Sequence, residues 1–393
     1  MFDPWQFKDI DPGSRVLMGP GPSDVAARVL QAMSSPCIGH LDPYMLKTMD
    51  EIQELLRYTF QTENELTLAV SGTGSSGMET CLTNLIEPGD TVLVCVNGFF
   101  ATRLGEITQR LGGRVVEVKG PWGRAIDLEA VRQAAQEAKP KILAAVQAET
   151  STGVWNPISE LAAVAREVGA LTLVDMVTSL GGMPAEVDKL GVDAAYSCSQ
   201  KCIGCPPGLA PVTFSPAAVD RIKGRTSPIL CWYMDLNLLG AYWGSERKYH
   251  HTASSNMMYA LREALRLVAE EGLEARFARH RLTYRALVAG VEAMGLEMLV
   301  PEAERLPMLN TIKIPQGVDD ARTRKALLAD FGLEIGGGLG DLAGQVWRVG
   351  IMGSGATRRN VTLFLSALKS ALTAQGAKVG SGIVAASEVW AKS

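Results

Sequence analysis

The chain has 393 residues, too many for one simple core, which suggests about two domains. With 47% hydrophobic residues, 20% charged residues and a net charge of −4, it has a soluble globular composition and no electrostatic case for binding nucleic acid or an anionic membrane. No apolar run approaches the roughly 20 residues of a membrane helix, and the opening residues 1–9 show no basic stretch followed by an apolar one. Seven cysteines, an odd number, argue against a disulfide framework and for a reducing, cytoplasmic compartment.

In chain order, an N-terminal segment (1–22) ends in the extended Gly19-Pro20-Gly21-Pro22. Strand patterns follow at Leu66–Val70, Thr91–Val96, Arg114–Val118, Lys141–Gln147, Leu171–Asp175, Asp193–Ser197 and Leu209–Phe214. Helical periodicity falls between them at Ser76–Ile86, Phe99–Leu111, Leu128–Ala138 and Ile158–Val168, with Glu87-Pro-Gly-Asp90 and Gly112-Gly113 as stops. Such alternation predicts an α/β fold, a mostly parallel sheet flanked by helices, over a large domain spanning 23–255. Near Ser254 the pattern changes. Two long amphipathic segments (254–271, 273–295) lead to strand Thr311–Ile314, helix 318–331, strand Trp347–Ile351 and helix 356–374, read as a smaller α+β domain at 256–374. The tail, 375–393, is rich in Gly, Ala and Ser and reads as poorly constrained until Val389-Trp390, which the sequence leaves without an account.

Two residues carry the first functional signal. Asp175 ends a short apolar strand, and Lys201 follows the next one, so both arrive at the carboxyl edge of the sheet, where ligands of parallel sheets collect. An acid for a ring nitrogen and an amine for an aldehyde suggest a pyridine cofactor. Ser71-Gly-Thr-Gly-Ser-Ser-Gly77 lies between a strand and a helix, where glycines let the backbone approach an anion and the helix start offers free N–H groups. It also matches the dinucleotide pattern G-x-G-x-x-G, but a nicotinamide site wants an acid ending the next strand, where Asn97 stands. Cys198, Cys202 and Cys205 have the spacing of an iron–sulfur motif; deep in an alternating sheet they read instead as small buried residues. The four histidines are not spaced with carboxylates as metal ligands, so no metal is assigned. Arg348 lies on an apolar strand and needs an anionic partner, either a substrate carboxylate or a structural acid.

The motifs in register resemble the class V, fold-type I aminotransferases that use pyridoxal 5′-phosphate, specifically the alanine–glyoxylate/serine–glyoxylate family, over roughly residues 15–372. They are Gly19-Pro-Gly-Pro-Ser23, Ser71-Gly-Thr-Gly74, Glu87-Pro-Gly-Asp90, Asn97-Gly98, Ser151-Thr-Gly153, Val174-Asp175, Ser179-Leu-Gly-Gly182, Ser199-Gln-Lys201, Pro206-Pro-Gly208, Tyr249-His-His-Thr252 and Arg348-Val-Gly350. The resemblance implies that Lys201 forms a Schiff base with the cofactor and shuttles the substrate's α-proton, while Asp175 pairs with the ring nitrogen. Val177 and Phe100 would cover the two ring faces, and Thr150 would lie near the phenolic oxygen and the substrate. Thr73, Gly74, Ser75 and Gln200 would hold the phosphate, and Arg348 the substrate's α-carboxylate. Tyr249 and Thr252 would reach the cofactor of a neighbouring subunit, implying a homodimer. Family members often have tryptophan, histidine and serine at the positions of Phe100, Ser75 and Thr150. The implied reaction is a ping-pong transamination from alanine or serine to glyoxylate; a related enzyme such as 2-aminoethylphosphonate–pyruvate aminotransferase is the alternative. A cysteine desulfurase would need a mobile cysteine in the small domain, and none follows Cys231.

Overall fold

The computed structural model describes residues 9–392; the reading of the first eight residues lies outside this range. All seven expected strands enter one sheet: β1 (Leu66–Ser71), β2 (Thr91–Val96), β3 (Arg114–Lys119), β4 (Ile142–Val146), β5 (Leu171–Asp175), β6 (Ala194–Tyr196) and β7 (Leu209–Phe214), in the spatial order β1-β7-β6-β5-β4-β2-β3. Strands β6, β5, β4, β2 and β3 run parallel, whereas β7 is antiparallel to both of its neighbours. Their residues read as near-continuous apolar runs because helices cover both faces, which leaves no alternation to see. Val94, Leu143, Leu173 and Val212 are fully buried in this core.

Asp42 starts a helix at Pro43–Phe60 that the sequence reading omits: its carboxylate accepts the Tyr44 N–H at 2.8 Å, and proline occupies the first helical position. Helices α1 (Gly74–Leu85) and α2 (Phe99–Arg110) leave the carboxyl ends of β1 and β2. Further along, α3 (Ser255–Glu271) sends Met258, Leu261 and Leu265 into the sheet's core, and α4 (Leu273–Ala293) turns away from it. A second core gathers Met18, Leu287, Ile312, Trp347, Phe364 and Leu368 around a three-stranded sheet that includes Leu309–Lys313 and Val346–Gly350.

The tail corrects its sequence reading. Residues Gly382–Ala391 form a helix whose Gly382 and Ala386 are buried, and Val389 and Trp390 pack against the second core. Glycines make this crossing: a Cβ at Gly382 would run into the Gly290 carbonyl of α4. A glycine content that reads as looseness thus serves a close approach of two backbones.

Residues 16–24 strap the two cores together. Val16–Leu17 pairs in parallel with Leu333–Glu334, and the Gly350 N–H donates to the Met18 carbonyl at 2.7 Å. The Ser23 N–H and hydroxyl then donate to the carbonyls of Gln200 (2.9 Å) and Lys201 (2.7 Å). Gly350 leaves no room beside the strap, because a Cβ there would collide with the Gly19 carbonyl oxygen. Gly350→Ala is therefore expected to lower stability by about 1–3 kcal/mol, read as a reduced urea midpoint; an unchanged midpoint would show that the strap yields freely.

Candidate active site

Asp175 ends β5 opposite Tyr196 in the parallel register, which places both side chains at the same sheet edge. Its carboxylate accepts the Tyr196 hydroxyl at 2.7 Å and the Val177 N–H at 2.8 Å. Burial pushes its pKa up to about 6 from the ordinary 3.8; the two hydrogen bonds oppose that rise, and the buried Glu149 charge adds to it. Lys201 follows β6 and donates its amine to the Pro20 carbonyl of the strap. Burial lowers its pKa, because a charged ammonium is disfavoured away from water. Gly21 admits the lysine tail: φ is +115°, and a Cβ there would lie 2.5 Å from Lys201 Cδ.

The glycine loop closes onto these groups. Thr73 is the N-cap of α1 yet makes no capping hydrogen bond through its side chain. A Cβ at Gly74 would lie 3.0 Å from Val177 Cγ2 and 3.3 Å from Cys198 Cβ, so the loop packs directly on the segments carrying Asp175 and Lys201. Thr73 and Ser75 remain exposed, whereas Gln200 keeps a buried side-chain carbonyl oxygen without a hydrogen-bond partner. Phe100 lies in the first turn of α2, half-buried, edge-on to Phe99.

Arg348 is 7% exposed. Its Nε donates to the Gly337 carbonyl at 2.8 Å and its Nη1 to the Thr150 carbonyl at 3.3 Å. Thr150 also shares a hydroxyl–hydroxyl bond with Thr178. Burial lowers the guanidinium pKa to about 10, opposed by Glu149, and no ion pair to Arg348 occurs among the described residues. A buried guanidinium satisfied only by carbonyls retains capacity for an anion.

The structure thus brings Asp175, Val177 and Gly74 together and joins Thr150 to Arg348. It leaves Tyr249 and Thr252 exposed, and no hydrogen bond among the described residues ties either to the glycine loop. Their neighbour His251 does reach that loop, its Nε2 lying 3.2 Å from Ser71 Oγ. Cys198, Cys202 and Cys205 are fully buried free thiols whose pKa values burial raises to about 12, 11 and 12. Such groups stay protonated and serve packing.

Three residues escaped the sequence reading. Tyr196 was counted only as a strand residue, because cross-strand register is invisible in one dimension. Glu149 is fully buried, accepting the Ser151 N–H at 3.0 Å and the Ala101 N–H at 3.2 Å at the start of α2, and burial raises its pKa. An acid three residues beyond the apolar strand Ile142–Val146 was the available signal. Arg103, on α2, donates to Ser75 Oγ at 3.1 Å, and nothing in its helical setting announced that.

Residues 17–343 match the family model of the class-V aminotransferases. An alanine–glyoxylate aminotransferase of Drosophila melanogaster is 43% identical over 372 residues, 93% of this chain and 94% of that protein. The crystal structure of an alanine–glyoxylate aminotransferase from Nostoc sp. superposes with a TM-score of 0.91 at 48% identity, covering 95% of this chain and 99% of that one. That of a ureidoglycine–glyoxylate aminotransferase from Bacillus subtilis gives 0.96 at 40% identity, covering 98% and 100%.

The raised pKa of Asp175 has a signed consequence for the cofactor-free protein. Its folded pKa lies above its unfolded one, so its contribution to stability is fully present below about pH 4 and is lost as pH rises through about 6. Asp175→Asn carries no such loss. The stability of the variant relative to wild type should therefore increase between pH 4 and 7, by on the order of 3 kcal/mol. Paired thermal melts across that range would show it, and a difference that is flat or falls with pH would refute the assignment.

Proposed function

The chain belongs to the class-V aminotransferase family, and we propose that it moves the amino group of alanine or serine to glyoxylate, giving glycine and pyruvate or hydroxypyruvate. The observation that carries this reading is Arg348: a buried guanidinium without a carboxylate partner, joined to Thr150 and suited to the carboxylate that amino acids and 2-oxo acids share. The relatives named above for alanine–glyoxylate and ureidoglycine–glyoxylate exchange have glyoxylate in common.

Members of this family depend on pyridoxal 5′-phosphate, and the residues present fit it. The glycine loop stands at the head of a helix whose N-cap, Thr73, makes no side-chain capping hydrogen bond, so an anion can take the place of a cap at the helix start. A buried acid and a half-buried amine lie at the same sheet edge without a salt bridge to each other among the described residues. When bound, the cofactor supplies an aldehyde for exchanging amino groups and a ring that withdraws electrons from the substrate's α-carbon.

In this reading Thr73, Gly74, Ser75 and Gln200 hold the phosphate, and Val177 and Phe100 enclose the ring. Asp175 holds a proton on the ring nitrogen; a cationic partner would draw the carboxyl back to its ionised form, against the pull of burial. Tyr196 and the Val177 N–H fix the carboxylate so that it cannot turn away. Lys201 is the covalent anchor and the base. Burial lowers its pKa and so favours the neutral amine, the form that would take the donor's α-proton in one half-reaction; the same group would deliver a proton to the acceptor's carbon in the other. Arg348 fixes the carboxylate of donor and acceptor in turn, which supports a ping-pong order. Tyr249 and Thr252, exposed in one chain, complete the phosphate site of a second copy, making the enzyme a homodimer. A cytoplasmic location accords with seven free cysteines.

A second reading has a specific support: ureidoglycine as donor, from the Bacillus subtilis relative. Purified enzyme should show a visible cofactor band that falls on adding alanine or serine and returns with glyoxylate. The donor that depletes the band at the lowest concentration identifies the physiological class. Lys201→Ala should abolish turnover, and substantial remaining activity would sink the proposal. Arg348→Met should reduce kcat/KM for alanine about 10- to 100-fold, as expected for losing a charge-assisted pair; an unaltered value would assign the carboxylate elsewhere, as a 2-aminoethylphosphonate donor would also allow. Light scattering should give twice the 42.1 kDa chain mass, and a monomer that retains full activity would remove the shared-site role of Tyr249 and Thr252.

A further inference from the structure

The residues so far assigned to the phosphate carry no charge. Thr73, Gly74, Ser75, Gln200, Tyr249 and Thr252 are neutral, whereas a phosphate monoester at pH 7 carries about −1.5 to −2. A helix N-terminus offers only about half a positive charge. His251, which reaches the loop through Ser71, does not make up the difference: burial, aided by His250 and His40, lowers its pKa to about 4 and keeps it neutral. Lys201 is committed to the aldehyde in the reading above.

Arg103 is the cation in contact with this cradle. It stands one turn beyond Phe100 on α2, and its Nη1 donates to Ser75 Oγ at 3.1 Å, in the first turn of α1. Its guanidinium lies 5.3 Å from the ring centroids of both Phe99 and Phe100, within the range of a cation–π contact. Such contacts restrict the side chain to the loop side of the helix. No ion pair to Arg103 occurs among the described residues, although other arginines of this region, such as Arg124 and Arg221, pair with Glu304 and Asp90.

We propose that Arg103 is a further cofactor-binding residue, supplying the positive charge that the phosphate of pyridoxal 5′-phosphate needs while bracing Phe100. This rests on the cofactor reading above. Arginine suits the task because its planar fork can donate to Ser75 and to a phosphate oxygen together, and its face can rest on an aromatic ring.

The test compares two probes differing only in the phosphate, pyridoxal 5′-phosphate and pyridoxal, titrated into the cofactor-free full chain and followed by intrinsic fluorescence and the visible band. Arg103→Gln should raise the Kd for pyridoxal 5′-phosphate about 10- to 100-fold and leave that for pyridoxal within about twofold of wild type. Arg103→Lys, which keeps the charge but not the fork, should fall between and guards against a glutamine variant that fails to fold. Equal weakening toward both probes would make Arg103 merely structural and overturn the inference, as would an unchanged Kd for pyridoxal 5′-phosphate in both variants. Wild type that takes up neither probe would instead overturn the cofactor reading itself, and the inference with it.

Discussion

A buried acid and a half-buried amine lie at the same edge of an apolar sheet, each held by a partner other than the other. Burial raises the pKa of Asp175 and lowers that of Lys201, so each is biased toward its neutral form. Had they met, the charged pair would have been stable and chemically spent. Instead Asp175 is held by Tyr196 and by the backbone of Val177, and Lys201 by a carbonyl of the N-terminal strap. The strap therefore belongs to the site as much as the sheet does: its Pro20 carbonyl gives the Lys201 amine a partner that carries no charge.

Three loops must stay in register for this arrangement, and one buried cluster ties them. Arg276, 5% exposed, donates to the carbonyls of Gly181, in the loop after Asp175, and Cys202, directly after Lys201, at 2.8 and 2.6 Å. Arg279 donates to the carbonyls of Gly353 and Ala356, beyond Arg348, and Glu271 pairs with both arginines. His280, kept neutral by burial and the two guanidiniums, has its Nε2 free to accept the Gly353 N–H at 3.1 Å. Arginine suits this work because its five donors can satisfy several carbonyls at once, whereas lysine offers a single centre. A charged cluster of this kind costs desolvation, so what it contributes is geometry rather than net stability.

How much of this was legible in the sequence follows from the range of each signal. Strands β1 to β7 were readable because apolar runs bounded by turn residues are local, and Asp175 and Lys201 because each stands at the end of such a run. Tyr196 and Arg103 were not: one acts through cross-strand register, the other through the meeting of two helix starts, and neither leaves a periodicity. The Pro43–Phe60 helix was legible by the same rules, in its Asp42 cap and in the apolar stripe Met45, Met49, Ile52, Leu56 and Phe60, yet it is missing from the sequence reading. The tail failed for the opposite reason, since Gly382 looks like freedom in sequence and is a contact point against Gly290 in space.

The departures from the family pattern at Thr150 and Phe100 differ in their physical reach. Thr150 meets Arg348 through its backbone carbonyl, so that contact is indifferent to whether serine or threonine stands there. Its extra methyl accompanies a hydroxyl already engaged by Thr178, inside a fully buried pair. Phe100 is different. A phenyl ring offers less stacking area than an indole, and its position depends on a helix whose start is fixed by the buried carboxylate of Glu149 rather than by a side-chain cap of its own. Glu149 also opposes the effect of burial on Arg348 and adds to the rise at Asp175. One buried acid thus connects the helix that carries Phe100 with Arg348 and Asp175. Changes at Phe100 and Glu149 should accordingly spread through all three, whereas changes at Thr150 should stay local.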